Sequence, residues 1–237
     1  MKDNMKYTII IPSLNPNNKL LDLVFELEDN GFNDIIVIND GSSNEYDSIY
    51  NKLPNIIKLI KHDVNLGKGA SLKDAIKEIS DSDAFITVDS DGQHLVKDVI
   101  KVRDKLKECD IVLGVRNFKK KNVPFKSRFG NKFSSIIFKI KTGISLNDTQ
   151  TGLRGINIKY KDIALQTKGN RYEYEMNFLY NIAKNNIKID TVPIETVYEN
   201  GNKGSHFNVI RDSLLIHKWL IIVLIIVILL VILIATL

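Results

Sequence analysis

Residues 84–94 read AFITVDSDGQH, and the fold class turns on this stretch. Ala84–Val88 is a short apolar run that suits a strand buried on both faces. It ends on two carboxylates at i and i+2, Asp89 and Asp91, followed by a glycine turn. Outward from it the same rhythm recurs. Tyr7–Ile11, Ile35–Ile38, Ile56–Ile60 and Ile111–Val115 are runs of the same kind. Helix-period stretches lie between them at Lys19–Asn30, Glu45–Leu53, Gly69–Ile79 and Val96–Lys107. Such alternation predicts an α/β fold with a doubly wound, mostly parallel sheet, whose ligands sit beyond the carboxyl ends of the strands. The second half is less regular. An amphipathic helix is expected over 124–141, strands over 151–158 and 188–198, a helix over 172–184 and another over 208–218. No repeat or linker divides the chain, so residues 1–215 are expected to form one catalytic-size domain.

Trp219–Leu237 breaks this pattern. It reads WLIIVLIIVILLVILIATL, without a charge, Gly or Pro. As a helix it would be roughly 28 Å long, which predicts a single transmembrane anchor over 219–237. A fully apolar helix lacks the polar face of an ordinary core helix. Arg211, His217 and Lys218 precede it and nothing charged follows, which places the globular part on the cytoplasmic side. The 237 residues carry 26% charged and 44% hydrophobic side chains, which excludes collagen-like, disordered and disulfide-scaffold classes. The one cysteine, Cys109, excludes an intrachain disulfide and a CxxC metal knuckle. A net charge of +5 suits phosphate-rich ligands or anionic lipid, and no nucleic-acid partner is expected.

Four polar motifs sit at the predicted strand ends. In Val88–His94, Asp89 and Asp91 can converge on one hard cation, since Mg²⁺ takes one or two carboxylates plus phosphate oxygens and waters. The competing reading is a solvated Asp-rich turn, and His94 reads first as a turn or capping residue. In Val37-Ile38-Asn39-Asp40-Gly41-Ser42-Ser43, Asp40 can accept hydrogen bonds from a nucleobase or can cap a helix. Asn65-Leu66-Gly67-Lys68-Gly69-Ala70 suits close approach of a phosphate to the backbone. It is neither a Walker A loop nor a dinucleotide fingerprint: Gly69 stands where Ser or Thr is required, and Leu72 replaces a glycine. Pro12-Ser13-Leu14-Asn15 by itself is only a turn.

Taken together, IIIPSLNPN, VINDGSS, NLGKGAS and VDSDGQH resemble, in order and spacing, the family 2 glycosyltransferases with the glycosyltransferase A fold. Asp148–Arg154 (DTQTGLR), Arg171–Glu175 (RYEYE), and the stretch from Val192-Pro193-Ile194 to Ser205-His206-Phe207 resemble the branch of dolichyl-phosphate mannose synthase and bacterial polyprenyl-phosphate glycosyltransferases. The resemblance implies a nucleotide diphosphate sugar donor, with Asp40 on the base and Pro12 and Asn15 lining its pocket. It sets Gly67, Lys68, Gly69 and Ser90 near the nucleotide sugar. Asp89, Asp91 and Gln93 would hold Mg²⁺ or Mn²⁺, and Arg116 and Arg128 would bind the acceptor phosphate. Asp148, Arg154, Glu173 and Glu175 match motif positions without a defined role, and a buried Arg154–Glu175 salt bridge is as good a reading as a direct one.

The acceptor can be argued chemically. A hydroxyl needs a general base, whereas a phosphate monoester with a second pKa near 6 is already mostly dianionic at neutral pH. Hydroxyl-acceptor relatives often carry a late Glu-Asp pair; the one Glu-Asp pair here is Glu28-Asp29, on the first predicted helix. Polyprenyl phosphate is therefore the expected acceptor, with a glycolipid or polysaccharide hydroxyl as the alternative. Phe125, Phe129, Phe133, Ile136 and Ile140 form one apolar stripe on the helix over 124–141, beside Lys126, Arg128, Lys132, Lys139 and Lys141. That predicts either an interfacial helix on membrane lipid, with Lys119-Lys120-Lys121 adding attraction, or a helix packed on the sheet. A sugar nucleotidyltransferase is disfavoured, because no early Gly-rich basic loop receives a triphosphate. A non-catalytic, membrane-tethered nucleotide-binding partner is the remaining rival. A single span also leaves room for a separate membrane partner protein.

Overall fold

The computed structural model describes residues 4–118 and 123–195. Seven strands form one sheet: β1 (Tyr7–Ser13), β2 (Asp34–Asp40), β3 (Lys58–His62), β4 (Ala84–Thr87), β5 (Ile111–Arg116), β6 (Arg154–Asn157) and β7 (Asp190–Ile194). Their order is β3-β2-β1-β4-β6-β5-β7. Every pairing is parallel except those of β6, which runs antiparallel between β4 and β5. The sheet is thus mixed, and the one reversed strand carries Arg154.

The helices are α1 (Lys19–Asp29), α2 (Asp47–Tyr50), α3 (Lys68–Lys77), α4 (Val96–Leu106), α5 (Phe125–Thr142), α6 (Lys161–Gln166) and α7 (Glu173–Lys184). Strand alternation divides the core. Ile9, Ile11, Ile35 and Val37 meet α1 and α4 through Leu20, Leu23, Val24, Leu27, Val96, Val99, Val102 and Leu106. Ile10, Ile36, Ile38 and Phe85 point the other way, onto Leu72, Ala75 and Ile76 of α3 and Phe178 and Ile182 of α7. Period 2 in the strands and the i, i+3, i+4 spacing in α1 together give both covered faces.

Several expected elements shift. The helix over 45–53 shrinks to a 3₁₀ turn at Asn44–Tyr46 and the single turn α2. The third strand starts two residues late, and Leu59 on it is exposed because β3 is an edge. The strand over 151–158 keeps only Arg154–Asn157, since Thr151 and Leu153 close a local turn first. Helix α6 carried too short a pattern to read. Residues 196–198 of the last strand, the helix over 208–218, the anchor over 219–237 and Lys119–Lys121 lie outside the described residues. Among the described residues no helix is long and apolar enough to cross a membrane.

Candidate active site

The carboxyl ends of β1, β2 and β4 and the start of α3 bring the polar motifs to one edge of the sheet. Asp40 ends β2 almost fully buried. Its Oδ1 accepts from Leu66 N–H and its Oδ2 from Gly67 N–H, both at 2.9 Å, and His62 Nδ1 lies 2.8 Å from Oδ1. Asp40 therefore anchors the loop that opens α3. Gly41, with φ +72°, lets the two backbones touch: a Cβ there would lie 2.3 Å from the Val64 carbonyl carbon. Gly41→Ala is expected to destabilise the protein by about 1–3 kcal/mol, read as a lower urea midpoint. Pro12 pairs in register with Ile38, and Asn15 meets the same loop: its N–H donates to Ser42 Oγ at 2.8 Å, and its Oδ1 accepts from Ser43 N–H at 3.3 Å.

Gly67 and Gly69 are crowded by the chain itself. A Cβ on Gly67 would lie 2.5 Å from the Asn170 carbonyl oxygen, and one on Gly69 would lie 2.5 Å from Tyr174 Cβ. Ala70 N–H donates to Asn170 O at 3.0 Å. The room read from the sequence as a phosphate cradle is used here to seat α3 against residues 170–174.

Lys68 reaches past these glycines. Its Nζ lies 2.7 Å from Asp89 Oδ1 and 3.0 and 3.1 Å from the two Glu175 oxygens. Burial pulls the pKa of this amine down, but the two carboxylates outweigh it and push it above the usual lysine value. Asp89 follows β4 with its other oxygen 3.6 Å from His94 Nε2. It packs on bare Gly152, where a Cβ would come within 2.0 Å of Oδ2. Burial opposes ionisation of Asp89, yet Lys68 and His94 together hold its carboxyl well below the usual range. Asp91, whose Oδ1 accepts from Gln93 N–H at 3.0 Å, shifts the opposite way: burial and the charge of Asp89 push its carboxyl up. Ser90 sits half-buried between them.

Two carboxylates that raise each other's energy form a hard oxygen donor set that a divalent cation would relieve. Among the described residues no group of three or more His, Cys, Asp or Glu side chains converges on a metal site. Asp89 and Asp91 match the one or two carboxylates that Mg²⁺ takes beside substrate phosphates.

The two candidate acceptor arginines lie on β5 and α5. Arg116, at the end of β5, forms a bidentate pair with fully buried Asp148: Nε to Oδ2 at 2.6 Å and an Nη2 to Oδ1 contact at 3.0 Å. Its guanidinium also stacks on Phe118. Arg128 lies exposed in the first turn of α5. Arg154 takes the structural role. It donates to the carbonyls of Thr151 (2.8 Å), Glu175 (2.7 Å) and Thr149 (3.3 Å), with Nε 3.8 Å from the Glu175 carboxylate.

Helix α5 turns its apolar stripe outward. Phe125, Phe129, Phe133, Ile136 and Ile140 are all exposed, Phe125 by 77% and Ile140 by 72%. Asn131, Ser134, Ile137 and Phe138 face inward instead. Asn131 donates to Asn147 O at 2.7 Å and accepts from Thr149 N–H at 3.2 Å, and Gln150 Nε2 meets Ser134 Oγ at 3.1 Å. The exposed helix is thereby tied to residues 147–152, which continue to the Gly152 contact with Asp89.

Three contacts escape the sequence, where His94 reads as a turn or capping residue and Glu175 as a motif residue or partner of Arg154. His62 supports Asp40, His94 flanks Asp89, and Glu175 shares Lys68. Nothing local marks His62. The nearness of His94 to the paired carboxylates was the available signal for it.

The family model for glycosyl transferase family 2 matches residues 8–166. An uncharacterised protein of Methanocaldococcus jannaschii is 30% identical over 218 residues, covering 89% of each chain. The UDP-N-acetylglucosamine–dolichyl-phosphate N-acetylglucosaminyltransferase of Methanococcus voltae is 28% identical, covering 94% of this chain and 97% of its own. Among solved structures, glucosyl-3-phosphoglycerate synthase of Mycobacterium tuberculosis, in complex with Mn²⁺, UDP and phosphoglyceric acid, superposes with a TM-score of 0.60. It is 15% identical and covers 84% of this chain and 72% of its own.

Proposed function

The chain belongs to glycosyl transferase family 2, and from that membership we propose that it moves a sugar from a nucleotide diphosphate sugar to a polyprenyl phosphate, with Mg²⁺ or Mn²⁺, at the cytoplasmic face of a membrane. The observation that carries the acceptor class is α5: five large apolar side chains point outward from a helix pinned to the loop that touches Asp89. At about 3.6 residues per turn, Arg128, Lys132 and Lys139 fall along one flank of that stripe. An apolar stripe with a basic flank suits the interface of an anionic bilayer, where a lipid phosphate is confined. The dolichyl phosphate acceptor of the methanococcal relative and the Mn²⁺ and UDP of the solved neighbour support the same reading. The apolar tail over 219–237 would hold the site at the surface.

In this reading an acceptor phosphate oxygen attacks the anomeric carbon, the bond to the leaving diphosphate breaks, and configuration inverts. The acceptor needs positioning and positive charge, not deprotonation. Glu175 and Asp148 suit that economy, since each carboxylate is already engaged by a cation. Asp91 and Asp89 would hold the cation, which offsets charge developing on the diphosphate. Lys68 keeps Asp89 ionised, and Gly152 leaves room for its carboxylate. Arg116 and Arg128 remain the proposed acceptor contacts, with Arg116 oriented by Asp148.

The test is transfer from radiolabelled UDP- and GDP-sugars to polyprenyl phosphate in detergent with either metal. A metal-dependent labelled lipid is expected; metal-dependent donor hydrolysis with no labelled lipid would favour another acceptor. Membrane docking has its own test. In the chain without residues 219–237, whose insertion would mask the effect, replacing both Phe125 and Phe129 by Ser removes two rings whose burial stabilises by about 1.5–3 kcal/mol each, so binding to anionic vesicles should fall by about 10²-fold or more. Unchanged vesicle binding would remove α5 from the interface.

A further inference from the structure

Asp89 presents its two carboxylate oxygens to different neighbours. Both lie over Gly152, but Oδ2 is beside His94 Nε2, whereas Oδ1 meets the Lys68 ammonium at 2.7 Å. Any divalent cation using Oδ1 meets that ammonium at the same atom, and like charges at such range oppose each other. Lys68 has a second carboxylate at hand, for both oxygens of Glu175 contact its Nζ. Glu175 is itself fixed, because Arg154 donates to its backbone carbonyl at 2.7 Å and lies 3.8 Å from its carboxylate.

We infer that Lys68 is a built-in competitor for the divalent cation at Asp89, ceding that carboxylate and resting on Glu175 alone when the cation arrives with the donor diphosphate. This rests on the metal-dependent reading above and adds an order to it. A cation arriving alone must displace the ammonium with protein groups alone to hold it, the carboxylates of Asp89 and Asp91 beside Gln93. A cation carried by a diphosphate brings phosphate oxygens as further ligands. Cation and nucleoside diphosphate therefore strengthen each other's binding by the same factor, as linkage requires. Neither Lys68 nor Glu175 need touch the sugar for this, so Glu175 is a positioning residue.

The experiment titrates Mn²⁺ into the full chain in detergent, reading free Mn²⁺ by electron paramagnetic resonance, with and without UDP or GDP. Without nucleotide, Lys68→Met should bind Mn²⁺ about tenfold more tightly than the wild type, as expected for removing a like charge at close range. Glu175→Gln should bind it more weakly, because the ammonium loses its alternative partner. Lys73→Gln is the control for general charge: Lys73 bonds Gly169 O and Asn170 Oδ1, and its loss should change Mn²⁺ affinity less than about twofold. Equal or weaker binding by the Lys68 variant, or equal tightening by the Lys73 variant, overturns the inference. Should the Lys68 variant fail to fold, tighter binding by Glu175→Gln overturns it as well. Absence of Mn²⁺ uptake by every form, even with nucleotide, overturns the inference together with the metal assignment. Failure of the polyprenyl acceptor is distinguishable, since it leaves all these Mn²⁺ affinities as expected.

Discussion

Asp91→Asn is expected to lower sugar transfer by about 10²–10³-fold, the scale of removing one preorganised group that stabilises transition-state charge. Its stability should not fall, and the reason lies in the site. Burial and the neighbouring charge of Asp89 both disfavour ionised Asp91, so a neutral isostere relieves the folded state. The sign of the pH effect follows. A carboxyl raised in the folded state contributes stability at low pH that is lost as pH rises through the folded value. In Asp91→Asn that loss disappears, so the variant should gain on the metal-free wild type as pH rises. Transfer assays with urea unfolding at two pH values check both statements. Normal transfer by the variant would remove Asp91 from cation binding.

Arg154→Ala should produce the largest stability loss, about 3–5 kcal/mol. Its guanidinium is buried at 3% exposure and satisfies the carbonyls of Thr149, Thr151 and Glu175. Truncation removes a donor from each of those carbonyls and one of the two cations beside Glu175, the other being Lys68. The loop from Thr149 to Gly152 also carries the surface on which Asp89 rests, so activity should fall with stability. Urea unfolding measures the loss, and a change below about 1 kcal/mol would show that water or a neighbouring cation replaces the arginine.

The sheet was legible because its strands are short apolar runs at regular spacing, and the polar residues that end them fall at the site for the same reason. The reversal of β6 was not legible. Direction leaves no mark in a four-residue strand, and Arg154 looks like a motif residue until its three carbonyl partners are in place. The GKG segment shows a second limit. Glycines permit close approach, but which partner approaches is a tertiary fact, and here it is the chain at Asn170 and Tyr174. The stripe on α5 was read correctly as apolar, yet periodicity alone left open whether it faced the sheet or the outside. The structure turns it outward, because Asn131 and Ser134 on the opposite face bond to residues 147–150.

We propose a lipid-borne phosphate as the acceptor. The most direct test offers the enzyme polyprenyl phosphate and the matching polyprenol side by side, with the same labelled donor and Mn²⁺. Label is expected in lipid from the phosphate alone, joined through a phosphodiester, with release of nucleoside diphosphate. Label entering the polyprenol as readily, or an acceptor bearing only hydroxyl groups, would contradict it.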